Sequence, residues 1–574
     1  MIATIFSWII IFFTLLSFGD ILLTFYNKVC KRKEEYNLLE KMLLGLCFIS
    51  IPLSIWSLIL PSNHVFLFVC IIVSTIYWLF NKRRFRDLIK DIYNSVKELT
   101  LSGKLIILLF VLILLTANSW EEGSFDSLFY HHQNIRWNEE FAIVPGLANL
   151  DHRMGFNSNY LLLSSIFSFR FLFGEMIHSL DSLFILAFFC WIVNELFKSG
   201  FQFKRILVLF GFILFYLLSI KLMLNTTTDL LPNLIILYLV SKYIFYPNLE
   251  KKDILLLTIV LIYIVTLKLS FAAFAILAVL SLVYLVRNKE YKTIIFIGTL
   301  CFLIGTLWLI RNIILTGYLI FPLAGSDLLD LDWKLPLSVV VNEKKLILSE
   351  GIAAFLDNWD IMKNGIPSWD KSITIFIFIS TCISFIFSIV PIIRKKISPI
   401  QISLYLSLLC ALTIWAINGP SFRFVSGMMP AFFILCVALS INNNKERHSR
   451  FTGILVLSIF LTCCTIWTSW RVFDRYRMIT NIESEKERKP FVKMFISPYS
   501  YYDFYESFTL EDINSHFTPY KLNNGITIYV AIANFSYDKL PVVKSGYYHF
   551  VNYECIEARG YSLQDGFRVK VGCE

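Results

Sequence analysis

The chain has 574 residues, of which 57% are hydrophobic and only 16% charged. Soluble domains carry about 25% charged residues, so a soluble globular enzyme is excluded, and intrinsic disorder is excluded by the same apolarity. The net charge of +10 does not imply nucleic acid, because membrane proteins gather Lys and Arg in their cytoplasmic loops. The composition is that of a polytopic α-helical membrane protein.

A spanning helix needs about 20 predominantly apolar residues. Taken in chain order, about fourteen transmembrane helices are expected, at 2–26, 42–60, 65–81, 104–118, 178–197, 206–220, 229–246, 253–267, 270–286, 293–310, 372–393, 399–417, 425–441 and 452–469. The first has no basic leader and contains Asp20, so it is expected to be a span and not a cleaved signal peptide. With the N-terminus outside, the inner loops are 27–41, 82–104, 198–205, 242–253, 287–292, 394–398 and 441–450. They hold 27 Lys and Arg in 79 residues, against 12 in 141 for the outer loops. This density contrast selects the orientation by the positive-inside rule. In a bacterium, 119–177, 311–371 and the tail 470–574 then face the periplasm or outside of the inner (cytoplasmic) membrane.

The tail alternates apolar and polar residues at Gly525–Phe535 and Phe567–Val571, which predicts a small extracytoplasmic domain containing β structure. Cys555 and Cys573 lie there, on the oxidising side, and a disulfide between them is expected. Nine other cysteines fall in spans and are expected to pack as small apolar residues. No CxxC motif or Cys/His cluster suggests a metal site.

The first outer loop carries the densest polar chemistry. Residues 119–160 read SWEEGSFDSLFYHHQNIRWNEEFAIVPGLANLDHRMGFNSNY. Glu121, Glu122 and Asp126 follow directly on a span, where a carboxylate can act as general base toward a hydroxyl; a solvated loop with ordinary acids is the competing reading. Asp126 and Tyr130 are four residues apart and share a face if the segment is helical. His131 and His132 are expected half exposed on an interfacial helix. Trp120, Trp137 and Tyr160 are expected in the interfacial aromatic belt. Asp151, His152 and Arg153 are candidates for shaping the loop around an acceptor.

The D-x-x-x-Y of Asp126 and Tyr130 resembles the first outer loop of the GT-C superfamily of membrane glycosyltransferases. That superfamily includes protein O-mannosyltransferases and aminoarabinose transferases. Its loop often reads D-E-x-x-Y, and Ser127 departs from it. Further resemblances follow in order. Tyr160–Gly174 looks like the amphipathic juxtamembrane stretch. Asp229 in TTTDLLP and Lys268 in TLKLS match recurrent positions. Trp308, Arg311, Asn312, Gly317 and Pro322 resemble W-x-x-R-N…G-x-x-x-x-P, and GPSFRF at 419–424 resembles P-x-x-R-Y with Phe424 in place of Tyr. VPGLANLDHRMGFNSN and DLDWKLP look like a bacterial subgroup of GT-C-like proteins.

The resemblance divides the chain into an N-terminal extension of three spans (1–103), a GT-C-like catalytic module (104–469) and the outer tail (470–574). It implies an inverting transferase that moves a sugar from a polyprenyl-phosphate donor to a glycan, lipid or protein acceptor in the cell envelope. Asp126 would be the base. Lys221, Lys268, Arg311 and Arg423 would bind the donor phosphate, and Asp229, at the outer end of a span, would be an acceptor or loop candidate with Tyr130, His131 and His132. The sequence specifies no cofactor; a divalent metal, magnesium or manganese, is compatible with such a site, and no nucleic-acid partner is expected. The alternatives are a polysaccharide polymerase or ligase, and a transporter or flippase of lipid-linked sugars. A transporter should carry mid-membrane charges and internal repeats, and neither is evident here.

Overall fold

The computed structural model describes residues 1–121, 123–124, 126–359, 369–394, 397–441, 449–481, 490–500, 517–531, 539–544 and 551–573, with only the backbone at 369–370. Among these, eight helices are long and apolar enough to cross a membrane: Ile2–Cys30, Leu38–Ser57, Leu180–Lys198, Leu269–Arg287, Tyr291–Thr316, Lys371–Arg394, Pro399–Asn418 and Arg450–Thr480. A ninth qualifies if His64–Phe80 and Lys82–Glu98, bent by 100° from each other, form one broken span. Shorter apolar helices occupy Leu101–Ala117, Asn159–Phe173, Leu230–Phe245 and Met428–Ser440. The protein is therefore helical and membrane-suited, with a small β region at its C-terminal end.

Small residues set the closest helix crossing. A Cβ on Gly19 would fall 1.9 Å from the Lys41 carbonyl oxygen, and one on Gly45 would fall 1.8 Å from that of Leu15. Only glycine lets these two backbones meet, as in other membrane helix pairs. One apolar core runs from Ala3 to Cys464, so the first three spans are built into the bundle. Two expectations change in detail. Lys82–Glu98, expected within a loop, is an amphipathic helix, a form suited to the membrane interface. The juxtamembrane stretch is two helices, Asn159–Ile166 and Arg170–Phe173.

The loops gather at opposite ends of the bundle. At one end Lys242 bridges Glu40 at 2.5 Å and Asp253 at 2.6 Å, and Arg32 meets Glu290 at 2.8 Å. These contacts join the segments 27–41, 242–253 and 287–292. Elsewhere, three segments share a second core that includes Trp137, Val144, Leu147, Tyr318, Leu335, Ile528 and Phe567. The amide of Phe567 donates to the Pro145 carbonyl at 3.0 Å, and Arg559 reaches Asp332 at 2.8 Å. The first loop, the 311–371 segment and the tail thus form one cap. Within 311–371, Leu337–Trp359 is a helix.

The tail contains β1 (Phe517–Lys521), β2 (Thr527–Ala531) and β3 (Val542–Lys544), with β2 central, antiparallel to β1 and parallel to β3. A second, antiparallel pair is β4 (Ile556–Ala558) with β5 (Phe567–Val569). The expected strand to Phe535 continues into 532–538, outside the described residues. Cys555 and Cys573 form the expected disulfide. In natively exported protein both thiols should resist alkylation until a reductant is added. Labelling of both without reduction would reject the bridge.

Candidate functional site

Asp126 opens a π-helical turn, Ser127–His131, that runs into the helix His132–Glu140. Such turns widen a helix locally and recur at functional sites. Ser127 Oγ and the Nδ1–H of His131 both donate to the Thr226 carbonyl, each at 2.8 Å, which ties the turn to the segment preceding Asp229. Asn233, one helical turn after Asp229, accepts at its Oδ1 from the amides of Gly427 and Met428 and donates to the Phe424 carbonyl. A Cβ at Gly427 would sit 2.3 Å from the Asn233 carbonyl oxygen. The Arg423 segment is thereby clamped beside Asp229.

These supports bring five of the expected residues into one charged cluster. Arg423 Nη1 lies 2.6 Å from Asp126 Oδ2, and its Nε lies 3.9 Å from Asp229 Oδ2. Lys268 Nζ contacts Asp229 Oδ1 directly and stands 3.7 Å from the centre of the Phe424 ring. Arg153 Nη1 is 3.5 Å from the other oxygen of Asp126. Exposure differs within the cluster. The side chains of Asp126 and Asp229 are 11% and 5% exposed, those of Arg423 and Lys268 40% and 20%. Arg423 is therefore the member of the cluster most open to an arriving anion.

Burial raises the Asp126 pKa, but Arg423 above all, with His131, Arg153 and Lys268, outweighs it and holds the carboxyl below its ordinary value. Burial also pushes His131 down to about 4, so this imidazole is neutral near pH 7 and the lowering then rests on the Arg and Lys side chains. Burial raises the Tyr130 phenol, and the Asp126 charge adds to that. Tyr130 thus stays a neutral hydroxyl beside the carboxylate.

Behind Arg153 the network continues through residues that the sequence did not single out. Glu343 Oε2 is 2.6 Å from His152 Nε2, and Glu343 Oε1 is 3.8 Å from Arg153 Nε. Glu350 lies 3.4 Å from Arg153. Asp151 caps the short turn at His152–Gly155 by accepting from the Arg153 amide. Lys544 of β3 donates to the Phe129 carbonyl at 2.5 Å, so the tail reaches the same turn. The candidates Asp151, His152 and Arg153 are therefore buried supports of the Asp126 region.

Several expected placements do not hold. Arg311 is buried away from the cluster: it donates to Ser57 Oγ at 2.5 Å, Asn138 Oδ1 at 3.0 Å and Asn157 Oδ1 at 3.3 Å. It pins the first loop to the second span. Lys221 is exposed and lies outside the ion pairs that join Asp126, Asp229, Lys268, Arg153 and Arg423 among the described residues. His131 and His132 are 3% and 2% exposed, not half exposed, because the cap covers the helix that carries them. Trp120, Trp137 and Tyr160 are buried in the cores rather than lying in a surface belt; Tyr160 donates to Asp181 at 2.7 Å. Glu122 lies outside the described residues.

Glu121 belongs to a second cluster. Its Oε1 is 2.9 Å from His132 Nε2 and 3.8 Å from His178 Nε2, and the two imidazoles stack with ring centres 5.1 Å apart. Among the described residues this is the His/Cys/Asp/Glu group with metal-ligand spacing. His178 was not expected from the sequence, since 46 residues separate it from His132 and no local motif marks it.

A family model described as a domain of unknown function, DUF8201, matches residues 1–430. The chain belongs to that family. The match begins at residue 1, so it takes in the first three spans together with Asp126, Asp229, Lys268 and Arg423, and leaves the tail outside. No curated protein and no solved structure matches the chain.

Proposed function

We propose that this protein is an inverting, GT-C-type glycosyltransferase of the bacterial cytoplasmic membrane that uses a polyprenyl-phosphate-linked sugar at its outer face. The observation that carries the reading is the pairing of two basic side chains, the exposed Arg423 and the largely buried Lys268, with two buried carboxylates, Asp126 and Asp229. A lipid-linked donor presents its phosphate at headgroup level, and Arg forks and Lys ammonium groups are suited to bind it. When the phosphate takes Arg423, Asp126 loses the neighbour that most depresses its basicity. It then accepts the proton of the acceptor hydroxyl. The acceptor oxygen bonds to the anomeric carbon as the bond from that carbon to the phosphate oxygen breaks. Polyprenyl phosphate leaves with its charge held by Arg423 and Lys268. A single displacement inverts the anomeric centre.

The test is mass spectrometry of envelope glycans and lipid-linked sugars in a deletion strain. One sugar should vanish from a glycan while its polyprenyl-phosphate form accumulates. Unchanged glycans and lipid pools would reject the reading. The sidedness is tested by reporter fusions: Lys82 and Lys252 should report the cytoplasm, and Ser158, Asn342 and Gly560 the outer face. A cytoplasmic signal at Asn342 or Gly560 would put the cap on the wrong side for this donor.

A further inference from the structure

We infer that Glu121, His132 and His178 form a binding site for a divalent transition-metal ion of the zinc type, separate from the Asp126 cluster and independent of the proposed transfer reaction. The three ligand atoms lie within 4.8 Å of one another. Zinc bonds imidazole nitrogen and carboxylate oxygen at about 2.0–2.2 Å, so small side-chain shifts bring all three within reach of one ion. The two rings are now parallel, within 6°, and each lone pair lies in its ring plane. Capture therefore turns the rings toward each other about their side-chain torsions. Two imidazoles and one carboxylate suit zinc and its neighbours in the first transition row. Magnesium and calcium prefer all-oxygen sets.

Two further observations point to a ligand here. The Thr226 hydroxyl lies 2.8 Å from His178 Nδ1 and 3.4 Å from its Nε2, which holds the ring beside Glu121, whose Oε1 is 3.8 Å from Nε2. Metal-binding histidines commonly have such an outer partner on the other nitrogen. The three residues also line a cavity of about 50 Å³ together with Trp120, Glu175 and Tyr499. Holding one water takes roughly 10–15 Å³ of such space, so the cavity admits an ion with a water in the open position left by three protein ligands.

The site's place in the chain defines its role. Glu121 follows the helix Leu101–Ala117, His132 begins the helix His132–Glu140, and His178 precedes Leu180–Lys198. Asp126 lies between the first two ligands. Thr226 touches both clusters, through its hydroxyl to His178 and through its carbonyl to His131 and Ser127. A bound ion would tie the segment after Leu101–Ala117 to the starts of His132–Glu140 and Leu180–Lys198, a structural role that holds whether or not the protein transfers a sugar.

The experiment uses the full chain, purified in detergent, stripped with a chelator and titrated with zinc chloride. Metal content is measured by mass spectrometry and stability by a thermal melt. One zinc per chain should be retained, with a rise in melting temperature that magnesium chloride does not reproduce. Glu121→Gln, which preserves shape, and His178→Ala should each lose the retained zinc and the thermal shift. Thr226→Val should weaken zinc affinity by roughly 10–100-fold, the usual effect of removing an outer-shell partner. Background zinc in the wild type, or equal retention by wild type and Glu121→Gln, would overturn the site. Neither readout depends on glycosyl transfer, so this inference and the proposed function fail separately.

Discussion

Asp126→Asn is expected to lower glycosyl transfer by roughly 10²–10⁴-fold, the usual loss when a general base is removed, while the protein still inserts and folds. The substitution keeps the size of the side chain and removes its charge from between Arg423 and Arg153. A hydrogen bond to a charged group contributes about 1.5–3 kcal/mol, so some stability goes with it. Asp229, Glu343 and Glu350 still face the two guanidinium groups and limit the loss. The pH dependence has a definite sign. Because the Asp126 pKa is lowered in the folded protein, its stabilisation is fully present above the ordinary carboxylate pKa and is lost as pH falls through the lowered value. Melting temperatures of wild type and variant should therefore differ at neutral pH and converge in acid. Transfer by the Asn variant at the wild-type rate, with normal protein levels, would remove Asp126 as the base and move attention to Glu121, Glu122 or Asp151.

The helical, membrane-suited character was legible because apolar runs are local properties of the chain, although eight helices, or nine with the bent pair, are long and apolar enough to span among the described residues, against about fourteen expected. The sequence also brought out Asp126, Asp229, Lys268 and Arg423, because each sits in a short pattern at the end of an apolar run. Arg311 sits in an equally good pattern, yet its guanidinium turns to Ser57, Asn138 and Asn157. A pattern marks a position and does not reveal which distant segment will meet it. Glu343 and Glu350 were hidden for a related reason: a segment taken for a loop is the helix Leu337–Trp359, and its fold brings both acids to Arg153. His132 and His178 converge only because the first loop doubles back between two spans. Lys544 reaches Phe129 across more than four hundred residues of chain. The short strands of the tail carry too few residues for a clear alternation, so of the five only β2 and β5 were anticipated.

Arg423→Ala is expected to weaken use of the lipid donor more than use of the acceptor. Arg423 is the most exposed member of the cluster's ion pairs with Asp126 and Asp229, and only a guanidinium offers a phosphate two parallel N–H groups. Losing one charged hydrogen bond costs about 1.5–3 kcal/mol, and about 1.4 kcal/mol corresponds to tenfold. The donor KM should therefore rise roughly 10- to 100-fold, while the acceptor KM changes little. Arg423→Lys should recover part of the loss, since an ammonium supplies charge without the fork. The same variant has a second consequence, which a purely structural arginine would not produce. Arg423 is the largest of the influences that lower the Asp126 pKa. In Arg423→Ala the carboxyl titrates at a higher pH, and the acid limb of the kcat/KM profile should move upward with it. An unchanged donor KM together with an unmoved acid limb would show that Arg423 neither holds the phosphate nor tunes the base, and the exchange of Arg423 from carboxylate to phosphate would have to be abandoned.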